Sequence, residues 1–340
     1  MDIYEQICRM VLIADDLTGA LDAAAPFCGA GRRVAVATRL DALPAALAER
    51  AQVTAVSTRS REVPPEVAAA RVREVVAAVG ADRPIFKKID SRLKGPIAAE
   101  LSALPDRPLL VAPAIPAFGR VVADGAVQGF GVARPIPVAP RLGTAAARAA
   151  IPETPDEAAM DAALAAAPAA AILVGARGLA QAMARQARLT AAVPDPLSGR
   201  IAVAVGSTDP ITLAQLARLE RTPCLAAPSG SYAGPIPEAA SLVMQAVPGP
   251  EADGATIARN LARSFRPLAE RSDALILTGG ATAEAVLDAL DVTLLTLEGE
   301  ILPGLPLSRA GGWRIVTKSG GFGDPGTLAE LVEGQGALAG

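Results

Sequence analysis

The sequence predicts two doubly wound α/β domains with largely parallel sheets. Short β-rich runs end in polar or glycine-containing turns, and helical patterns follow them. The chain has 340 residues, too many for one ordinary core and suited to two domains of about 150 residues each. Two such domains would enclose a cleft between them, with the active site in that cleft.

In the first half, strands are expected at Val11 to Ala14, Val34 to Thr38, Val53 to Ser57, Ile85 to Ile89, Leu109 to Ala112 and Ile172 to Val174. A helix is expected over Pro64 to Val79, with proline in its first turn and Val67, Val72, Val75, Val76 and Val79 on its apolar side. The alanine-rich stretch from Thr144 to Ala171 is helix-compatible but punctuated by Pro152, Pro155 and Pro168. Val193-Pro-Asp-Pro-Leu-Ser-Gly-Arg reads as a connection, placing the boundary near residue 198 and the domains at 1–198 and 199–340. Beyond it, strands are expected at Ile201 to Val205, Leu225 to Ala226, Leu242 to Ala246, Leu275 to Leu277, Thr293 to Leu297 and Arg314 to Thr317, with a long helix over Asp253 to Arg271.

Composition narrows the function classes. A formal charge of −3 offers no basic field for nucleic acid or an acidic membrane, so a small-molecule partner is favoured. The longest uncharged apolar run, Ala162 to Ala176, is alanine-rich, contains Pro168 and falls short of the ~20 strongly apolar residues of a membrane helix. The start, Met1-Asp-Ile-Tyr-Glu, lacks the pattern of a secretory signal, and a cytoplasmic location is expected. Cys8, Cys28 and Cys224 are widely spaced and read as three buried thiols, not as a disulfide or zinc framework. There is no histidine, which removes Ser-His-Asp hydrolysis and leaves proton transfer mainly to Asp, Glu, Lys or Tyr. Lysine occurs only at 87, 88, 94 and 318. A lysine kept in an arginine-rich chain suggests a need for a compact, rotatable ammonium, which singles out segments 85–95 and 314–323.

The chemistry-bearing groups fall at the ends of predicted strands. After the first strand come Asp15 and Asp16, placed where open α/β sheets bind ligands, although one of them would also serve as a helix N-cap. Lys87-Lys-Ile-Asp90-Ser-Arg92-Leu-Lys94-Gly leads from the fourth strand. Here Arg92 and Lys94 suit a carboxylate, and Asp90 suits a hydroxyl proton. Thr58-Arg-Ser60-Arg61, and Gly119-Arg120 with Gly125, would bring further arginines and hydroxyls to the same edge. In the second half, Thr278-Gly279-Gly280-Ala281-Thr282 and Val205-Gly206-Ser207 are strand-to-turn sites at which backbone N–H groups can approach a phosphate. Thr317-Lys318-Ser-Gly320-Gly321-Phe-Gly323 joins the last lysine to three glycines. Residues 321–326 formally match G-x-G-x-x-G, but too little chain follows to complete a βαβ unit, and there is no Walker sequence.

Together these segments resemble the four-carbon acid sugar kinases, a family long catalogued as a domain of unknown function. The matching pieces are ADDLTGALD at 14–22, TRSR at 58–61, KKIDSRLKG at 87–95, VAPAIPAFGR at 111–120, LVGARGL at 173–179, GS at 206–207, LTGGATA at 277–283, PGLPLS at 303–308 and TKSGGFGDP at 317–325. The resemblance implies an N-terminal sugar-acid domain, a C-terminal nucleotide domain, and ATP-dependent phosphorylation of an acid such as threonate, erythronate or 3-dehydrotetronate. It implies a substrate side made of Asp15, Asp16, Ser60, Arg61, Asp90, Arg92 and Lys94; with no histidine present, Asp16 or Asp90 is the preferred base. The nucleotide contacts it implies are Ser207, Gly279, Gly280, Ala281, Thr282, Gly320, Gly321 and Gly323. Lys318 is either a phosphate contact or a structural ion pair. Mg²⁺ is expected with the ATP, its protein ligands unassigned, and homodimerisation is left open. This chain departs from the family in carrying Ala281 where an acidic residue is usual, and in a shortened segment after Gly125. A non-catalytic binding or sensor protein of the same fold, or an aldolase-like or reductase domain, is the alternative reading.

Overall fold

The computed structural model describes residues 2–29 and 31–334. The chain divides into two units, Met1–Ala192 and Val193–Gly340.

In the first unit the strands β1 (Met10–Ala14), β2 (Val34–Ala37), β3 (Val53–Ser57), β4 (Ile85–Lys88) and β5 (Leu109–Ala112) are followed by β6 (Arg120–Ala123), β7 (Ala126–Gly129), β8 (Ile136–Pro137), β9 (Ala149–Ala150) and β10 (Ile172–Gly175). The main sheet runs in the order β2-β3-β1-β4-β10-β5-β9, with every pair parallel. All five residues of β1 are buried. That is the continuous apolar signature of a strand covered on both faces, and each large side chain there contributes about 1.5–3 kcal/mol by burial. The helices are α1 (Ile3–Ile7), α2 (Leu17–Ala24), α3 (Leu43–Ala48), α4 (Pro65–Val79), α5 (Ile97–Ser102), α6 (Glu157–Ala165) and α7 (Arg177–Gln186). The expected helix at 64–79 forms with Pro64 as its N-cap and ends at Gly80, whose φ of 86° only glycine adopts easily.

Strands β6, β7 and β8 form a small antiparallel sheet that the apolar patterning did not disclose. The alanine-rich stretch also differs from a continuous helix. A 3₁₀ segment over Ala139–Arg148 is kinked at Gly143, and only α6, capped by Asp156, is α-helical. The flanking prolines confine it.

The second unit contains β11 (Ile201–Val205), β12 (Cys224–Pro228), β13 (Ser241–Val247), β14 (Ala274–Thr278), β15 (Leu294–Leu302), β16 (Leu305–Ala310) and β17 (Trp313–Lys318), with α8 (Pro210–Leu216), α9 (Gly254–Ala269), α10 (Gly280–Ala289) and α11 (Thr327–Glu333). Its order is β12-β13-β11-β14-β17-β16-β15. The first five strands are parallel, whereas β16 runs antiparallel to both β17 and β15. Helix α9 is the expected long helix, with Asp253 accepting from Thr256 N at 2.7 Å and Leu261, Phe265 and Leu268 buried. Among the described residues no helix is long and apolar enough to cross a membrane. Of the three cysteines only Cys28 is buried; Cys224 is exposed because it opens β12 at the sheet edge.

Both parallel sheets reverse their winding at the middle. In the first, the chain moves from β1 to β2 and β3 on one side and to β4 on the other; in the second, from β11 to β12 and β13 on one side and to β14 on the other. The carboxyl ends of β1 and β4, and of β11 and β14, therefore flank the crevices where doubly wound sheets take ligands.

A buried polar network ties the first crevice to the sheet. Residues 87 and 88 point to opposite faces of β4. Lys87 Nζ lies 3.0 Å from Glu100 Oε2 on α5 and donates to Lys88 O at 3.0 Å, and both charged side chains are at most 1% exposed. Glu100 Oε1 accepts from Ser60 Oγ at 2.5 Å; that hydroxyl lies 2.6 Å from Thr58 Oγ1, which donates to Ala14 O at 2.9 Å. A buried pair stripped of one partner leaves an uncompensated charge, costing about 3–5 kcal/mol. Lys87→Met and Glu100→Gln should each lose that much in urea unfolding. The double variant should lose clearly less than the sum. Strict additivity would show that the pair is not coupled.

Candidate functional site

The first crevice is organised around Arg61. After β3 the backbone turns through Arg59 at φ 48°, and the N–H groups of Ser60 and Arg61 donate to Asp15 O at 2.8 and 3.3 Å. This brings the Arg61 guanidinium onto the loop that follows β1. Its Nε donates to Asp15 Oδ2 at 2.8 Å and its Nη2 to Asp15 Oδ1 at 3.0 Å, a two-pronged match that only a planar guanidinium makes. Nη1 donates to Asp16 Oδ2 at 2.7 Å and lies 3.8 Å from Asp90 Oδ2. Burial alone would raise the Asp15 carboxyl, but Arg61, with Lys87 and Lys88 behind it, outweighs burial and holds the group below the ordinary carboxylate range. Burial likewise opposes the Arg61 charge, and the Asp16 and Asp15 carboxylates more than compensate, so its proton is held more firmly than usual.

The three aspartates are not equivalent. Asp15 is 1% exposed and spends both oxygens on Arg61. Asp16 caps α2, accepting from Gly19 N at 2.8 Å through Oδ1, while Oδ2 accepts from Thr18 Oγ1 at 2.8 Å besides Arg61. The capping role and the place in the site thus fall on one residue. Asp90 uses Oδ1 for the N–H groups of Arg92 and Lys94, at 2.8 and 3.4 Å. Its Oδ2 has only the 3.8 Å approach of Arg61, and the side chain is 15% exposed. Of the three carboxylates it alone keeps an oxygen with no hydrogen bond to a described residue.

Arg92 and Lys94 are exposed on the loop after β4, and neither side chain bonds another described residue. Ser60, expected at the ligand, is fully buried and its hydroxyl faces Glu100, so it supports the loop from beneath. Arg61, expected among the substrate contacts, is engaged by the protein's own aspartates. Sequence reasoning did not find Glu100, because its partners lie 13 and 40 residues away and no local pattern connects them. Nor did it assign Lys88, nearly buried and donating to Ile89 O at 3.0 Å, for which Gly19 leaves room.

In the second unit the register aligns Val205 with Thr278 and Thr278 with Lys318. The turns after three adjacent strands, at Gly206-Ser207, Gly279-Gly280 and Ser319-Gly320-Gly321, therefore share one edge. Close approach explains the small residues. A Cβ at Gly206 would collide with Thr282 Oγ1, and one at Gly320 with Ser207 Oγ. Gly279, at φ 102°, precedes α10, and no side chain caps that helix. Its first-turn N–H groups, Ala281 and Thr282 included, meet no side-chain acceptor among the described residues. Beside them the buried Thr278 hydroxyl has no partner among the described residues.

Lys318 runs beneath this edge, fully buried, its Nζ donating to Thr212 Oγ1 at 3.2 Å and to Ser319 O and Gly320 O at 3.1 Å. Burial, only partly offset by Asp209, lowers it to about 8. No carboxylate of a described residue touches it, and its bonds go to neutral oxygens. The loop's far end is fastened by Gln215 Nε2, which donates to Phe322 O at 3.0 Å and Asp324 O at 2.8 Å, with Gly323 packed against Gln215 and Thr327. Among the described residues no group of three or more acidic, histidine or cysteine side chains is arranged to hold a metal.

Known proteins match both halves. Residues 10–139 match a family described as a sugar-binding N-terminal domain, and residues 232–328 one described as a nucleotide-binding C-terminal domain. A D-threonate kinase of Cupriavidus necator is 31% identical over 405 aligned positions, covering 94% of this chain and 96% of that protein. A D-threonate kinase of Bordetella bronchiseptica is 32% identical over 400 positions, covering 95% and 96%. Both alignments exceed the 340 residues present here, so these relatives carry internal segments that this chain lacks. A Haemophilus influenzae crystal structure superposes with a TM-score of 0.68 at 20% identity, over 96% of this chain and 99% of that one, which shows the shared fold. With both halves matched and such relatives aligned almost throughout, the chain belongs to the four-carbon acid sugar kinase family.

Proposed function

We propose that the protein transfers the γ-phosphoryl group of ATP to a hydroxyl of a four-carbon sugar acid such as threonate, erythronate or 3-dehydrotetronate, with the acid held by residues 1–198 and the nucleotide by residues 199–340. The observation that carries this reading is the spare oxygen of Asp90, which lies 3.8 Å from Arg61 of the compensated charge cluster, on the loop that also bears the exposed cations Arg92 and Lys94. The cations attract the carboxylate end of the substrate, and Asp90 Oδ2 accepts the hydroxyl proton. As that proton leaves, the oxygen bonds to the γ-phosphorus and the bond to the β,γ-bridging oxygen breaks, releasing ADP. Asp16, committed to its cap, to Thr18 and to Arg61, is the weaker base candidate.

On the nucleotide side, the uncapped start of α10 and the turns at Ser207 and Gly320-Gly321 supply backbone N–H groups for phosphate oxygens. Mg²⁺ needs only one or two carboxylates when phosphates complete its shell. Asp209 fits that demand. Its Oδ1 caps α8 by accepting from Ile211 N at 2.9 Å, whereas Oδ2, facing Gly321, accepts no hydrogen bond from a described residue. The ion, when bound, neutralises phosphate charge.

The direct test is ADP release from Mg-ATP with a panel of four-carbon acids and the matching neutral polyols. Acids should turn over and polyols poorly, and equal turnover of both would overturn the carboxylate requirement. Asp90→Asn should lower kcat by about 10²–10⁴ while both ligands still bind. Near-normal turnover of that variant would remove Asp90 as the base.

Lys318 gives a pH signature. In the unfolded chain it keeps its proton to about 10.5, in the folded one only to about 8. The folded protein thus binds fewer protons between those values, and this group's contribution to stability rises with pH across that window. A bound phosphate favours the ammonium, so ATP binding should take up a proton above pH 8 and weaken as pH rises. Calorimetry at pH 8.5 in buffers of different ionisation enthalpy should show that uptake, and Lys318→Met should abolish it. Proton-neutral binding by the wild type would contradict a phosphate contact at Lys318.

A further inference from the structure

Arg120 opens β6 and is only 9% exposed, yet no carboxylate of a described residue lies within 4 Å of its guanidinium. Its bonds go to neutral acceptors. Nε donates to Phe130 O at 2.9 Å and Nη1 to Ser91 Oγ at 2.7 Å. The other deeply buried cations of this unit touch a carboxylate or, as Arg120 does beside Asp90, lie only in the field of one. Lys87 pairs with Glu100, Arg177 with Asp22 at 2.9 Å, and Lys88 helps hold Asp15 ionised. Taking a charge out of water without a counter-ion is expensive.

The side chain is also held in place for a ligand. Its backbone is fixed to the loop after β5, with Ile115 N donating to Arg120 O at 2.8 Å and Arg120 N to Ile115 O at 3.3 Å. Nη2 bonds no described residue and lies beside Gly131, where a Cβ would come within 2.8 Å of it, so a larger residue there would crowd the guanidinium. Ser91 is the neighbour of both Asp90 and Arg92, which ties Arg120 to the loop carrying the proton acceptor and the exposed cations. Burial, then the Arg92 charge, lowers the Arg120 pKa, and Asp90 offsets this only in part. An anion between the two arginines relieves both penalties.

We infer that Arg120 is the buried anchor for the carboxylate of the sugar acid, with Ser91 positioning its guanidinium and Arg92 closing on the same anion from solvent. This rests on the sugar-acid reading above and adds the residue that distinguishes an acid from a neutral polyol.

The test is calorimetric binding of D-threonate and D-erythronate, and of threitol and erythritol at millimolar concentration, to the full chain and its variants. Arg120→Met should weaken acid binding by about 30-fold and Arg120→Lys by about 10-fold, the loss expected for a charge-assisted bond and for a planar fork respectively. Ser91→Ala, which keeps the charge but frees the guanidinium, should weaken it by about 3-fold. Polyol and ATP affinity should stay within two-fold throughout. Acid affinity within two-fold of wild type in Arg120→Met, or in Arg120→Lys should the methionine variant not fold, overturns the assignment. So does an equal loss for acids and polyols, because the contact would then be to a hydroxyl. A wild type that binds polyols as well as acids, or no acid at all, overturns the sugar-acid reading and this one with it.

Discussion

The first crevice depends on one contact, the two-pronged bond between Arg61 and Asp15. Three aspartates gathered after β1 and β4 would repel one another, and Asp15, almost wholly buried, would not stay ionised without a partner. The guanidinium solves both problems at once by touching Asp15 and Asp16 directly and approaching Asp90. Its own position is dictated from below. Ser60 is locked to Glu100, Glu100 to Lys87, and Thr58 to Ala14, so the loop after β3 is bolted to β1, β4 and α5 before Arg61 reaches across. A lysine at 61 would carry the charge without the fork, and could not hold Asp15 at two points.

The two units furnish their crevices with opposite materials on the same winding of their first four strands. Each sheet reverses between two central parallel strands, and each opens its crevice at their carboxyl ends. In the first unit the crevice is furnished with charged side chains, which suits a small polyhydroxy anion needing orientation and proton transfer. In the second it is furnished with glycines and an uncapped helix, which suits phosphate oxygens approaching backbone N–H groups. Sheet topology sets where the chemistry happens, and loop composition sets which chemistry.

Strand positions and their polar ends were legible because buried parallel strands announce themselves as continuous apolar runs. The family followed from residues clustered in those loops. What stayed hidden involved partners distant in sequence. Scarce lysine pointed to segment 85–95, but adjacent residues of a strand face opposite ways, so Lys87 serves the core while Lys88 serves the crevice. The family resemblance put Ser60 on the substrate side, and only the fold shows its hydroxyl turned toward Glu100. Strand β16 was missed although Pro303-Gly304 marks the turn before it, because Glu298, Gly299 and Glu300 interrupt the apolar pattern of its partner β15.

Charge compensation separates the cations that build this fold from those that wait for something else. Arg61, Lys87 and Arg177 are each matched by a carboxylate of the protein itself, and removing any of them leaves an acid stranded. Arg120 and Lys318 are also buried, but among the described residues they bond neutral oxygens alone, and burial depresses the proton affinity of both. A folded chain that needed these two positions only for packing would be better served by uncharged side chains of similar size, since a lone buried charge costs stability. Their placement, one beside the loop bearing Asp90 and one beneath the glycine turns, is what two anionic ligands would require: a carboxylate in the first unit and a polyphosphate in the second.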